Sequence, residues 1–136
     1  MDLATSMALA ASGMRAQSKR MRVITENIAN ADSTSPTPEG SPYRRKIATM
    51  RSAFDRTLDA TAVEPGNPVP DNSDFQVRYD PGNPAADKSG YVKLPNVNPL
   101  IEVMDMREAQ RSYEADLNVM DASKSMLSRT VDLLKR

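Results

Sequence analysis

The strongest constraint on this chain is an apolar seven-residue alternation that appears twice, once at each end, with nearly all the Gly and Pro lying between the two runs. In the first run, positions alternately four and three apart hold Leu3, Met7, Ala10, Met14, Gln17, Met21, Ile24 and Ile28. In the second they hold Val103, Met106, Gln110, Tyr113, Leu117, Met120, Lys124, Leu127, Val131 and Leu134. A sustained 3.5-residue period is the mark of a helix that packs lengthwise along another helix. Asp2 is placed to cap the first helix. Asn98 followed by Pro99 gives the second a cap and a first-turn proline whose missing N–H costs nothing. The seams predict helices about 40 Å and about 55 Å long. Glu102 with Met106, and Glu108 with Ser112, are expected to leave the opposite face polar.

The middle of the chain is rich in Pro, Asp and Ser. Composition marks 33–42 as a loop. Strand-like stretches follow at 43–50, 75–79 and 90–94. Phe75, Val77 and Tyr79 alternate with Gln76 and Arg78, as a half-buried strand does. Pro65-Gly66-Asn67-Pro68 and Pro81-Gly82-Asn83-Pro84 suit type II turns, with Gly at positive φ. The expected fold is therefore mainly α: long N- and C-terminal helices packing as a coiled-coil-like hairpin, with a small irregular β region inserted between them. The segments are 1–31, an N-terminal assembly helix; 32–97, the loop and β region; and 98–136, a C-terminal assembly helix.

The 136 residues amount to about one domain. With no Trp and only two Phe, the chain has few large side chains from which to build a core. Yet Ala4, Ala8 and Ala11 flank the first seam, and Leu100, Ile101, Met104, Ala109 and Met126 flank the second. Apolar arcs this wide need more neighbours than a two-helix hairpin supplies. Self-association, or insertion among partner helices, is the economical expectation.

Chemistry is sparse. There is no His and no Cys. No Gly-rich phosphate loop or nucleophile elbow is present, so an enzyme is not expected and no cofactor is implied. Asp71, Asn72, Asp74 and Asp80 lack the spacing and Gly of a calcium loop and read as an acidic loop. With 18 basic and 18 acidic residues the formal charge cancels, and nucleic acid is not an expected partner. The triplet Arg44-Arg45-Lys46 reads as a solvated strand edge kept from pairing by its charges. No apolar run approaches the roughly 18 residues that span a membrane, so no direct membrane insertion is expected. Met1–Gly13 carries no positive residue, which argues against a cleaved secretory signal. Asn27-Ile28-Ala29-Asn30 admits two readings: an ordinary helix end, or two amides placed to bond an adjacent helix.

That last motif, closing a Met- and Ala-rich helix, resembles the signature of the flagellar rod and hook proteins. Asp32-Ser33-Thr34-Ser35 and the Pro-rich loop before Tyr43-Arg44-Arg45 depart from the family's usual turn and are similar to its proximal-rod branch. So are Tyr79-Asp80-Pro81-Gly82-Asn83-Pro84, Gly90-Tyr91-Val92-Lys93-Leu94-Pro95-Asn96-Val97, Arg111-Ser112-Tyr113-Glu114-Ala115 and Lys124-Ser125-Met126. The stretch 48–74 is the least diagnostic. The resemblance implies a structural subunit of the basal-body rod that crosses the periplasm and transmits torque. It implies export by the flagellar type III apparatus without a cleaved signal. The implied partners are other rod proteins, adjoining basal-body components and copies of the chain itself. The expected assembly interface comprises Leu3, Met7, Met14, Met21, Ile24, Asn27, Ile28 and Asn30 on the first helix. On the second it comprises Val103, Met106, Tyr113, Leu117, Met120, Leu127, Val131 and Leu134. A self-contained helical adaptor or chaperone-like binding module is the alternative from the residues alone.

Overall fold

The computed structural model describes residues 2–135. Two long helices enclose six short strands in chain order: α1 (Leu3–Ala29), β1 (Lys46–Ile47), β2 (Met50–Asp55), β3 (Ala60–Pro65), β4 (Val69–Pro70), β5 (Gln76–Tyr79), β6 (Tyr91–Leu94) and α2 (Pro99–Leu134). The expected mainly α architecture with a small inserted β region is the architecture found.

Both helix starts follow from their caps. The Asp2 carboxylate accepts the Thr5 amide at 2.7 Å, and that bond holds its pKa below the usual carboxylate range. Asn98 Oδ1 accepts the Leu100 amide at 3.1 Å, with Pro99 as the first helical residue. At the other end of α1, Asn30 Nδ2 donates back to the Glu26 carbonyl at 2.8 Å and satisfies a terminal acceptor.

The strands pair as three separate two-stranded antiparallel ladders, β1 with β4, β2 with β3 and β5 with β6. The hairpin β2–β3 lies within the stretch that sequence reading left without structure. Its loop is built by Asp55, whose Oδ1 accepts the Thr57 amide at 2.8 Å and the Leu58 amide at 3.3 Å. Asp59 completes the reversal at φ 46°, a left-handed conformation that Asp tolerates.

Two expectations for the middle region are overturned. Val77 and Tyr79 are not half-buried: they are 61% and 64% exposed. The register explains this. Gln76 pairs with Leu94 and Arg78 with Val92, so the buried Val92 and Leu94 share a face with Gln76 and Arg78. Val77 and Tyr79 lie on the other face with Tyr91, where Tyr79 and Tyr91 meet edge to face at 5.3 Å. Nor does either Pro-Gly-Asn-Pro segment form a type II turn, because neither Gly66 nor Gly82 has a positive φ. Pro65–Pro68 runs extended past Thr49, whose carbonyl accepts the Gly66 amide at 2.8 Å. Asp80–Asn83 does turn, with the Asn83 amide donating to the Asp80 carbonyl. The positive φ, 83°, sits instead at Gly90, where a Cβ would fall 2.8 Å from the Tyr79 ring.

The chain divides into two compact units, 1–21 with 49–67 and 107–136, and 22–48 with 68–106. Each draws on both helices and on the middle segment. In the first, the most buried side chains of both helices are small. Ala10, Ser12 and Ala16 are buried on α1, and Ala109 and Ser123 on α2. The Asp116 carboxylate lies over Gly13, and Arg20 pairs with Glu108 at 3.2 Å. Burial in this contact pushes the Asp116 carboxyl above its ordinary pKa. The second unit holds the small apolar cluster of Ala85, Val92 and Leu94.

Candidate assembly interface and a polar junction

On α2 the seven-residue period is present, but its inward phase differs from the apolar stripe. The buried positions are Glu102, Ala109 and Ser123, with Asp116 half-buried at the same spacing. Of the residues expected at the seam, Met106, Tyr113 and Met120 are partly buried. The other five face solvent: Val103, Leu117, Leu127, Val131 and Leu134, the last 82% exposed. Leu100, Ile101, Met104, Val119, Met126 and Leu133 are exposed as well, and Ala109 is the one buried hydrophobic residue of α2 among those described. Small and polar residues turned inward let the helices approach closely, which leaves the large apolar side chains on the outside.

On α1, Leu3, Met7, Met14, Met21, Ile28 and Asn30 are partly exposed, whereas Ile24 and Asn27 are buried at 4% and 1%. Every polar position of the Asn27 amide is used within the chain. Its Nδ2 donates to the Lys46 carbonyl at 2.8 Å and to Glu102 Oε2 at 3.1 Å. Its Oδ1 accepts the Tyr43 hydroxyl at 2.8 Å and the Lys46 amide at 2.9 Å. Asn27 goes beyond an ordinary helix end: it bonds Glu102 of α2, through a carboxylate and not a backbone carbonyl, and it also ties α1 to the extended segment at Tyr43 and Lys46.

Glu102 is a correction to the expectation of a polar outer face, since it is fully buried. Its Oε1 accepts the Arg45 guanidinium, which also reaches Asp71 at 3.2 Å and Asp105 at 3.6 Å. Burial opposes the charge on Arg45, but hydrogen bonds and proximity to Glu102 and Asp71 outweigh it and raise its pKa. Bonds from Ser73, aided by Arg45, hold the Asp71 carboxyl low. Asn96 completes the junction: its Oδ1 accepts the Arg45 amide at 2.7 Å, and its Nδ2 donates to the Asp71 carbonyl at 3.1 Å. The basic triplet is therefore not a solvated edge. Arg44 lies 4.3 Å over the Phe75 ring and donates to the Asp71 carbonyl, while Lys46 pairs with Glu26. A cluster of charges with three carboxylates around one guanidinium is held in place because each acceptor meets a donor.

The junction joins Asn27, Tyr43-Arg44-Arg45 and Leu94-Pro95-Asn96, the segments that carried much of the family resemblance. Sequence reading missed Glu102 and Asp71 as members. The available signal was an acidic residue at a seam-adjacent position beside a basic triplet that needed partners.

Comparison with known proteins agrees with these features. The family described as Flagella basal body rod protein matches residues 7–35, and the family described as Flagellar basal body rod FlgEFG protein C-terminal matches residues 88–133. The flagellar basal-body rod protein FlgC of Agrobacterium fabrum is 49% identical over 133 residues, covering 98% of this chain and 96% of that protein. FlgC of Bacillus subtilis is 37% identical over 145 residues, covering 96% and 97%. FlgC of Salmonella typhimurium is 37% identical over 125 residues, covering 92% of each. Near-complete coverage at this identity, with the terminal helices matched by rod families, shows that the chain belongs to the FlgC family of flagellar basal-body rod proteins.

Proposed function

We propose that the chain is a structural subunit of the rod in the bacterial flagellar basal body. It joins its neighbours through the outward apolar faces of α1 and α2 and works mechanically, by transmitting torque, with no catalytic step. The observation that carries this reading is the phase of α2: its large apolar side chains point out while small and polar ones point in. Exposed apolar stripes of this length are stabilised only when other helices cover them. The interface draws on Leu3, Met7 and Met14 of α1 and on Leu117, Leu127, Val131 and Leu134 of α2. Contacts that do not close on themselves extend into a helical tube. Other rod components, adjoining basal-body components and further copies of the chain are the partners, in a shaft that crosses the periplasm. Export through the flagellar type III apparatus is part of this reading.

Purified hook–basal bodies from cells making an epitope-tagged chain test this reading. The tag is expected to copurify and to map to the rod. A tag recovered wholly in the soluble fraction of motile cells contradicts it and favours a free adaptor.

A further inference from the structure

The hairpin β2–β3 has one partly blocked edge and one open edge. Because the Gly66 amide bonds the Thr49 carbonyl, residues 49 and 66 face each other across the ladder. With Arg51 opposite Glu64, Ala53 opposite Ala62 and Asp55 opposite Ala60, the bonded pairs alternate from there. The backbone groups of Met50, Ser52 and Phe54 therefore point away from β3. Those of Thr61, Val63 and Pro65 point away from β2. The β3 edge is partly blocked: the Val63 amide donates to Ser12 Oγ at 3.3 Å and Pro65 has no N–H, which leaves Thr61 with its one outward amide. On the β2 edge, no internal partner meets the backbone of Met50, Ser52 or Phe54 among the described residues, and all three residues are exposed. No Pro, Lys or bulge protects the strand, and its one cation, Arg51, is engaged by Glu64 at 2.7 Å. Residues 50–65 also lie outside both segments that the rod families match.

We infer that this open edge pairs with β2 of a second copy of the chain, antiparallel about a two-fold axis at Ser52. The strand is self-complementary in that register. All three free edge residues find partners, Ser52 with Ser52 and Met50 with Phe54 on both sides of the axis. Met50 and Phe54 are 39% and 60% exposed on the same face, so the pairing sets a thioether beside an aromatic ring twice. On the other face Arg51 comes opposite Ala53 and diagonal to Asp55 of the second copy, within reach of a long side chain. Centring the pair on Arg51 would oppose like charges. Centring it on Ala53 would leave Met50 without a strand partner. A two-fold pair is closed and cannot propagate as a polar tube. It is thus a contact of the subunit outside the assembled rod, and it does not depend on the rod assignment.

The absence of Cys makes the test direct. Directly opposed residues at a bonded position lie about 5.5 Å apart at Cα, a span that a disulfide bridges. Under mild oxidation of the purified full chain, the Ser52→Cys variant is expected to cross-link about tenfold faster than Ser89→Cys, an exposed loop control, because pairing raises the effective thiol concentration. Adding Phe54→Glu should slow the Ser52→Cys reaction to the control rate. Adding Leu127→Asp and Val131→Asp should leave it unchanged, which separates this contact from any association through helices. Equal rates for Ser52→Cys and Ser89→Cys overturn the inference, as does insensitivity to Phe54→Glu or loss of cross-linking in the helix variant.

Discussion

Glu102 shows how one buried carboxylate organises the segments around it. It is fully desolvated, yet Arg45 and Asn27 occupy both of its oxygens. Removing Glu102 takes away the buried partner of Arg45, leaving only Asp71 and Asp105 on the guanidinium, and strips one acceptor from the buried Asn27 amide. Glu102→Leu should therefore lower stability by about 3 kcal/mol in urea unfolding, and Arg45→Met in the same chain should recover part of the loss. Tyr43 has a pH signature. Burial, reinforced by Glu26 and Glu102, pushes its hydroxyl up to about 12 from the ordinary 10.0. A folded pKa above the unfolded one favours the protonated hydroxyl. Its contribution is therefore complete below the unfolded value and is lost as pH climbs from 10.0 toward about 12. Tyr43→Phe should cost about 1 kcal/mol near neutrality by removing the bond to Asn27. It should also flatten that alkaline decline, as urea titrations on either side of the window would show.

At the scale of elements, the sequence gives the period of each helix directly but not the phase. Met106, Tyr113 and Met120, expected at the assembly interface, are partly buried within the chain. Hydrophobic spacing could not show that Ala109 and Ser123 are buried while Leu127 and Val131 are exposed. A stripe meant for another chain has the same spacing as a stripe meant for the core. The caps at Asp2 and Asn98 were legible because capping is local chemistry. The hairpin β2–β3 was not, since its pairing rests on an Asp-built loop and on Ala and Ser residues with little strand preference. The face of β5 was misjudged for a related reason: alternation reveals two faces, while the partner strand decides which is buried. Among the described residues one inward polar group is left over, for Gln17 Oε1 is buried with no hydrogen-bond partner. Gln17→Met, similar in volume, should raise stability by about 1 kcal/mol, measured by thermal or urea unfolding.

For the whole molecule, the two units differ in what holds them. One is fixed by charges and amides around Arg45; the other rests on small-residue contact between helices and on the β2–β3 hairpin. The last turns of α2 have no buried side chain after Ser123 among the described residues. Local opening is therefore expected there first. Limited trypsin digestion read by intact mass should cut at Lys124 and Arg129 before Arg45, whose guanidinium is tied to three carboxylates. This exposed helix end is also where assembly and folding separate most cleanly. The most direct measurement is the motility of cells whose only copy carries Leu127→Asp and Val131→Asp, with the unfolding free energy of the same purified variant. Since both residues face solvent, stability should stay within about 0.5 kcal/mol of the parent while the cells fail to swim and to build rods. Normal swimming with a normally folded variant would contradict assembly through this face of α2.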